Sequence, residues 1–213
     1  MQLGGMSLIM WTCASLGCAK QVDAPNADDN QGCGKLWYDG EAGSLTLTHG
    51  TTWVDPKPDP MKGSAMLSES TVEPHSGYAA LEADLQWVAG YYGAAFGFNF
   101  AQYDAARAYD ASNADSLEFW IRIDAGTKKH FLVWLTDSNR ASSNKVAVAS
   151  GAIPMLTMTW QRVSIPLATF ANVDLTSIWE IDWDTHSEPF GTAGGIHVFI
   201  DDGVFTSADC HKG

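Results

Sequence analysis

The sequence predicts an all-β fold, an antiparallel β-sandwich of the jelly-roll kind with at most one or two short helices. Three observations carry this expectation. Apolar residues come in short runs that alternate strictly with polar ones, most clearly in SLEFWIRID at 116–124. Gly, Pro, Asn and Asp, the residues that turns select, separate the runs. No stretch keeps helical spacing over a dozen residues, and AQYDAARAYD at 101–110 is the best short helix candidate.

Taken in order, residues 1–18 read as an export leader. An apolar run ends in Leu16-Gly17-Cys18, which resembles a bacterial lipoprotein signal whose cysteine is acylated; the alternative is a buried or frayed N-terminal segment. The run is too short and interrupted to span a bilayer. Membrane association is therefore expected only through a lipid anchor at Cys18, with the protein exported to the cell surface or the extracellular space. If Cys13 leaves with the leader and Cys18 is acylated, Cys33 and Cys210 remain of the four cysteines. A disulfide between them would close a very long loop and contribute about 4–5 kcal/mol in the chain-entropy account; the alternative is two thiols. Residues 19–35 are small, polar and acidic and read as a flexible tether. The sandwich is expected over 36–210, a length that suits one well-cored, monomeric domain.

Within it, VDPKPDPMKG carries prolines at 56, 58 and 60 and must be a surface loop. In ADLQWVAGYYGAAFGFNF, residues 83–100, Phe96, Phe98 and Phe100 share the core parity. Tyr91, Gly93, Gly97 and Asn99 share the other, and Tyr92 is expected at the rim. In SLEFWIRID, Leu117, Phe119, Ile121 and Ile123 face inward, with Glu118, Trp120 and Arg122 outward. HFLVWLTD opposes Phe131, Val133 and Leu135 to Leu132, Trp134 and Thr136. The intervening AGTKK reads as a five-residue hairpin loop, which would set Trp120 directly opposite Trp134. QRVSIPL and IWEIDWDTH add Arg162, Ser164, Glu180 and Asp182 to the outward set, with Trp179 and Trp183 inward.

One open face is thus expected to collect Tyr91, Asn99, Glu118, Trp120, Arg122, Trp134, Arg162 and Asp182. Indole plates beside amides, carboxylates and guanidinium suit a sugar: the ring's C–H face lies on an aromatic plane, and its hydroxyls take paired donors and acceptors. Each platform covers roughly 80–100 Å² of apolar surface, worth about 2–2.5 kcal/mol. Other aromatic residues compete for these roles: Trp53, Trp87 and Tyr109 are loop candidates, whereas Trp37, Trp160 and Trp179 read as core. A net charge of -13 excludes a nucleic-acid partner, which needs a basic surface, and suits a neutral ligand or a cation.

DSLEFWIRI, TWQRVSIPLATF, SIWEIDWD and VFIDDGVF resemble successive strands of carbohydrate-binding modules with the galactose-binding-like jelly-roll fold. Family 11 modules and the domain of complex I intermediate-associated proteins are the most similar. The resemblance covers about 36–206 and implies binding of a polysaccharide, a β-glucan or other plant cell-wall glycan, on one sheet face. It also implies structural calcium near the chain ends, for which Asp39 and Glu41, with Asp201 or Asp202, are the candidate hard oxygen ligands; the alternative is that these acids are solvated turn residues.

Two other functions stay open at this stage: a small glycan-cleaving enzyme, and a surface lipoprotein with a protein-binding or structural role. Glu118, Glu180 and Asp182 on one open face could form the carboxyl pair a glycosidase needs. No HExxH, Gly-x-Ser-x-Gly or phosphate-loop pattern occurs, and the six His are scattered. The expectation is a non-catalytic binding module.

Overall fold

The computed structural model describes residues 35–38, 51–91, 93–99, 108–125, 131–148, 155–185 and 193–207, with only the backbone described for 35–38 and 51–53. Eleven strands lie within them: β1 Lys35–Tyr38, β2 Thr51–Asp55, β3 Gly63–Ser70, β4 Ala80–Trp87, β5 Ala95–Asn99, β6 Ser116–Ile123, β7 Leu132–Asp137, β8 Val146–Ala147, β9 Gln161–Pro166, β10 Ile178–Asp184 and β11 Gly194–Thr206. They form two antiparallel sheets. The six-stranded sheet runs β3-β4-β11-β6-β9, with β1 also paired to β11; the five-stranded sheet runs β2-β5-β10-β7-β8. The helices among the described residues are two single 3-10 turns, Leu167–Thr169 and Leu175–Ser177. Residues 101–107 of the candidate helix lie outside the described residues, and its end is extended, since Tyr109 bridges to Ile178.

Alternation builds the sandwich as expected. Leu81, Leu85, Leu117, Phe119, Ile121, Val198 and Ile200 turn inward from one sheet, and Phe96, Phe98, Val133, Leu135, Ile181 and Trp183 from the other. Trp183 is fully buried, stacks on Phe96 with centroids 5.2 Å apart, and meets Phe119 of the opposite sheet edge-on at 6.2 Å. Each such apolar side chain contributes about 1.5–3 kcal/mol by leaving water.

The predicted β6–β7 hairpin does not form. β6 pairs with β11 and β9, whereas β7 pairs with β10 and β8, so the two strands lie in different sheets. Both hydrogen-bonding edges of β6 are already taken. Trp120 and Trp134 therefore sit on the outer faces of opposite sheets. The stretch 83–100 also divides: β4 ends at Trp87, and a turn with Gly90 at φ 87 and Gly93 at φ 136 precedes β5. Those positive φ values suit glycine and break the alternation that placed Tyr91.

Candidate functional site

On the six-stranded sheet, the loop joining β3 to β4 folds back over the outer face. Val72 O accepts from Arg122 Nη2 at 2.8 Å, and Glu73 O accepts from Trp160 Nε1 at 3.0 Å. The backbone N–H groups of His75 and Ser76 donate to Asp201 Oδ2 at 2.9 and 3.1 Å. The imidazole of His75 reaches Asp202 Oδ2 at 2.6 Å, and Ser76 Oγ bonds the other oxygen. His75 stacks on Trp120 at 3.8 Å with planes 16° apart. The Arg122 guanidinium lies 3.8 Å from the Phe199 ring centroid and 5.2 Å from that of Trp160.

A shift in register between Asp201 and Val204 in β11, with Asp202 at φ 47, aims both aspartates at this loop. Asp201 is fully buried, and desolvation pushes its carboxyl up to about 6 against the backbone N–H donors that favour its charge. Nearby, Glu118 is buried and held by Arg162 Nη2 at 2.6 Å and Ser164 Oγ at 3.0 Å.

The five-stranded sheet has the other outer face. Its register places Trp53, Gly97, Asp182 and Trp134 side by side across β2, β5, β10 and β7. One row further, Thr51, Asn99, Glu180 and Thr136 are in register. Asn99 Nδ2 donates to Glu180 Oε1 at 2.8 Å, and Thr136 Oγ1 donates to Asp182 Oδ2 at 2.8 Å. Asn99, Asp182 and Asp184 are almost fully buried, while Trp134 and Glu180 keep part of their surface exposed. Lys145 Nζ bonds Asp184 Oδ2 at 2.7 Å and lies 4.4 Å from the centroid of the Trp134 ring. This is an aromatic plane bordered by amide, hydroxyl, carboxylate and ammonium groups, the set that hydroxyl-rich ligands need.

The single open face expected from alternation is thus corrected. Glu118, Trp120, Arg122 and Arg162 belong to the six-stranded sheet; Asn99, Trp134 and Asp182 belong to the five-stranded one. Glu118 does not share a cleft with Glu180 and Asp182. Tyr91 packs against the core, and Tyr92 lies outside the described residues. Trp87 and Tyr109, expected on loops, belong to the core cluster. Trp160, expected in the core, is half-buried on the outer face. Trp179 is buried but off the core cluster, because a register shift gives its inward place to Ile178; Arg140 lies over its ring at 4.3 Å.

Asp39 and Glu41 lie outside the described residues, as do Cys18, Cys33 and Cys210. Among the described residues, no group of three or more His, Cys, Asp or Glu is arranged to hold a metal ion. The described half of the expected calcium set is poorly prepared for one: the oxygens of Asp201 and Asp202 already face N–H and O–H donors. Among the described residues, no helix is long and apolar enough to cross a membrane.

The family match and the fold make the chain a non-catalytic carbohydrate-binding module of the β-sandwich type. The chain belongs to the family described as Carbohydrate binding domain 30, whose match spans residues 28–207. No curated protein matches the chain. It is similar in structure to the family 30 carbohydrate-binding module of the cellulosomal cellulase Cel9D-Cel44B of Clostridium thermocellum, at 18% identity over 76% of this chain and 94% of that chain, with a TM-score of 0.57. A family 11 module from Clostridium thermocellum, in complex with a β-1,3-1,4-mixed-linked tetrasaccharide, is similar at 13% identity over 83% of this chain and 96% of that chain, with a TM-score of 0.54. A β-1,2-glucanase from Parabacteroides distasonis shares the fold over 81% of this chain but only 25% of its own, at 8% identity and a TM-score of 0.56.

Proposed function

We propose that the outer face of the five-stranded sheet is the carbohydrate site and that it takes a neutral β-glucan or related plant cell-wall polysaccharide. The observation that carries this is the pairing of Trp134 with Asp182 in adjacent strands, beside a row that holds Asn99, Glu180 and Thr136. The indole gives a sugar a flat apolar surface, the part-exposed Glu180 gives its hydroxyls a partner, and buried Asn99 and Asp182 brace the polar row behind them. The opposite outer face has its aromatic surface engaged by the chain's own loop at Trp120. The mixed-linkage glucan held by the family 11 module supports the choice of ligand. Among the described residues, three acids near Trp134 stand against one lysine, which argues for a neutral chain rather than a polyuronate. Affinity electrophoresis in mixed-linkage β-glucan, with a reducing-sugar assay alongside, tests the reading: retardation without released sugar is expected, and no retardation in any β-glucan or xylan overturns it.

The same reading carries several finer proposals. The cellulosomal setting of the family 30 relative fits export, with a leader at 1–18, a tether at 19–35 and the binding domain at 36–210. Acylation at Cys18, a Cys33–Cys210 disulfide and a monomeric state go with it; lipid labelling, non-reducing peptide mapping and sedimentation test them in turn. Structural calcium held by Asp39, Glu41, Asp201 and Asp202 is supported by strand register, since Tyr38 of β1 pairs with Gly203 of β11 beside the two aspartates. Ligation would require Asp202 to release His75 and Ser76.

A further inference from the structure

We propose that Lys145 is a latch on the Trp134 platform, and that a sugar ring enters by displacing its ammonium group. The proposal rests on the assignment of the five-stranded face as the glycan site. β8 pairs with β7 through Leu132 with Ala147 and Val133 with Val146, and the same antiparallel register carried one residue further sets Lys145 beside Trp134. Asp184 lies on β10, on the far side of β7, paired with Leu132. The 2.7 Å contact between Lys145 Nζ and Asp184 Oδ2 therefore bridges across β7, and on the way it brings the ammonium to 4.4 Å from the Trp134 centroid.

The lysine side chain is 45% exposed and the Asp184 side chain 2% exposed, so the moving part is the lysine and the fixed anchor is the carboxylate. A cation over an indole occupies the electron-rich face that the C–H groups of a pyranose need. Ammonium and sugar compete for one surface. Two interactions hold the latch, a cation–π contact and an ion pair whose lysine half is open to solvent while its carboxylate is buried. Residue 145 thereby sets affinity, and opening the latch in advance removes a cost of binding.

The test uses the full chain labelled with 5-fluorotryptophan, the Trp134 resonance being assigned by its loss in Trp134→Phe. Lys145→Ala is expected to move that ¹⁹F resonance without ligand. A mixed-linkage β-glucan oligosaccharide is expected to move the same resonance in the wild type. Its Kd is expected to be about three- to tenfold tighter for Lys145→Ala than for the wild type. A resonance that Lys145→Ala leaves in place overturns the latch. So does unchanged or weaker binding, the latter making Lys145 a ligand contact. If neither protein binds mixed-linkage, cello- or xylo-oligosaccharides, it is the glycan reading that fails, and the ligand-free ¹⁹F shift alone then decides for or against the latch. Should the alanine variant lower Tm, Lys145→Gln repeats the comparison with the charge removed and most of the stem kept.

Discussion

The imidazole of His75 lies against the indole of Trp120, ring on ring at 3.8 Å, and the same imidazole is tied to Asp202. Trp120 thus has its partner within the chain. Trp120→Ala is expected to cost about 2 kcal/mol, lowering Tm by about 4–8 °C, because it unseats the loop over the six-stranded sheet. Glycan affinity should stay within about twofold of wild type. Calorimetry and titration of the one variant read both; a large affinity loss at unchanged Tm would move the site to the six-stranded face.

Trp134→Ala should behave in the opposite way. Loss of the platform is expected to weaken binding at least about tenfold, from the apolar area a sugar would cover. Tm should fall by no more than about 2–4 °C, since the ring is half-buried and off the core cluster. Calorimetric titration with a β-glucan oligosaccharide checks this.

Gly97 lies between Trp53 and Asp182 in the row that ends at Trp134. Gly97 is buried, and its missing side chain leaves room in the row that a larger residue would fill. Gly97→Leu is expected to reduce glycan affinity at least about tenfold by filling that room, a loss of about 1.4 kcal/mol or more. Native affinity electrophoresis of the refolded variant, with its circular dichroism unchanged, is the measurement; full retardation would show that the chain of sugars runs elsewhere.

His197 offers a pH test away from the site. Its Nδ1 meets Glu82 Oε1 at 2.9 Å, and Asp84 lies 3.5 Å from its Nε2. The hydrogen bond to Glu82, then the charge of Asp84 and Asp124, raise its pKa against partial desolvation. A raised folded-state value means the contribution is complete below the unfolded value of about 6.5 and disappears as pH climbs through the higher folded value. With the ring this exposed, the wild type should lose only about 1–2 °C of Tm more than His197→Gln between pH 6 and 8.5. Parallel profiles for the two proteins would count against it.

Calcium should raise Tm, and EDTA should lower it, if the carboxylates at the two chain ends share an ion. Identical melting in millimolar calcium and in EDTA removes the ion from the account. Asp202→Ala should abolish any calcium-dependent rise while leaving glycan binding unchanged.

Much of the fold was legible because alternation reports which side of its own strand a residue faces. Leu117, Phe119 and Ile121 against Glu118, Trp120 and Arg122 came out as read. What alternation does not report is the partner strand. A short link after β6 is compatible with a hairpin and also with a crossing to the second sheet, and only the whole set of pairings decides between them. That ambiguity placed Trp120 beside Trp134. Irregular backbone hid the rest: Gly90 and Gly93 at positive φ end the alternation before Tyr91, and the register shift before Glu180 moves Trp179 off the core cluster. Lys145 went unnoticed because a lysine after a turn carries no pattern; its contact spans two strands and exists only once they are assembled.

The placing of β11 also bears on how the molecule is made. It fills the gap between β4 and β6 and carries β1 as well, so the six-stranded sheet cannot close until residues 194–206 have emerged from the ribosome. Until then β4 and β6 each leave a raw edge towards the other, and the nascent chain waits with its sandwich half assembled.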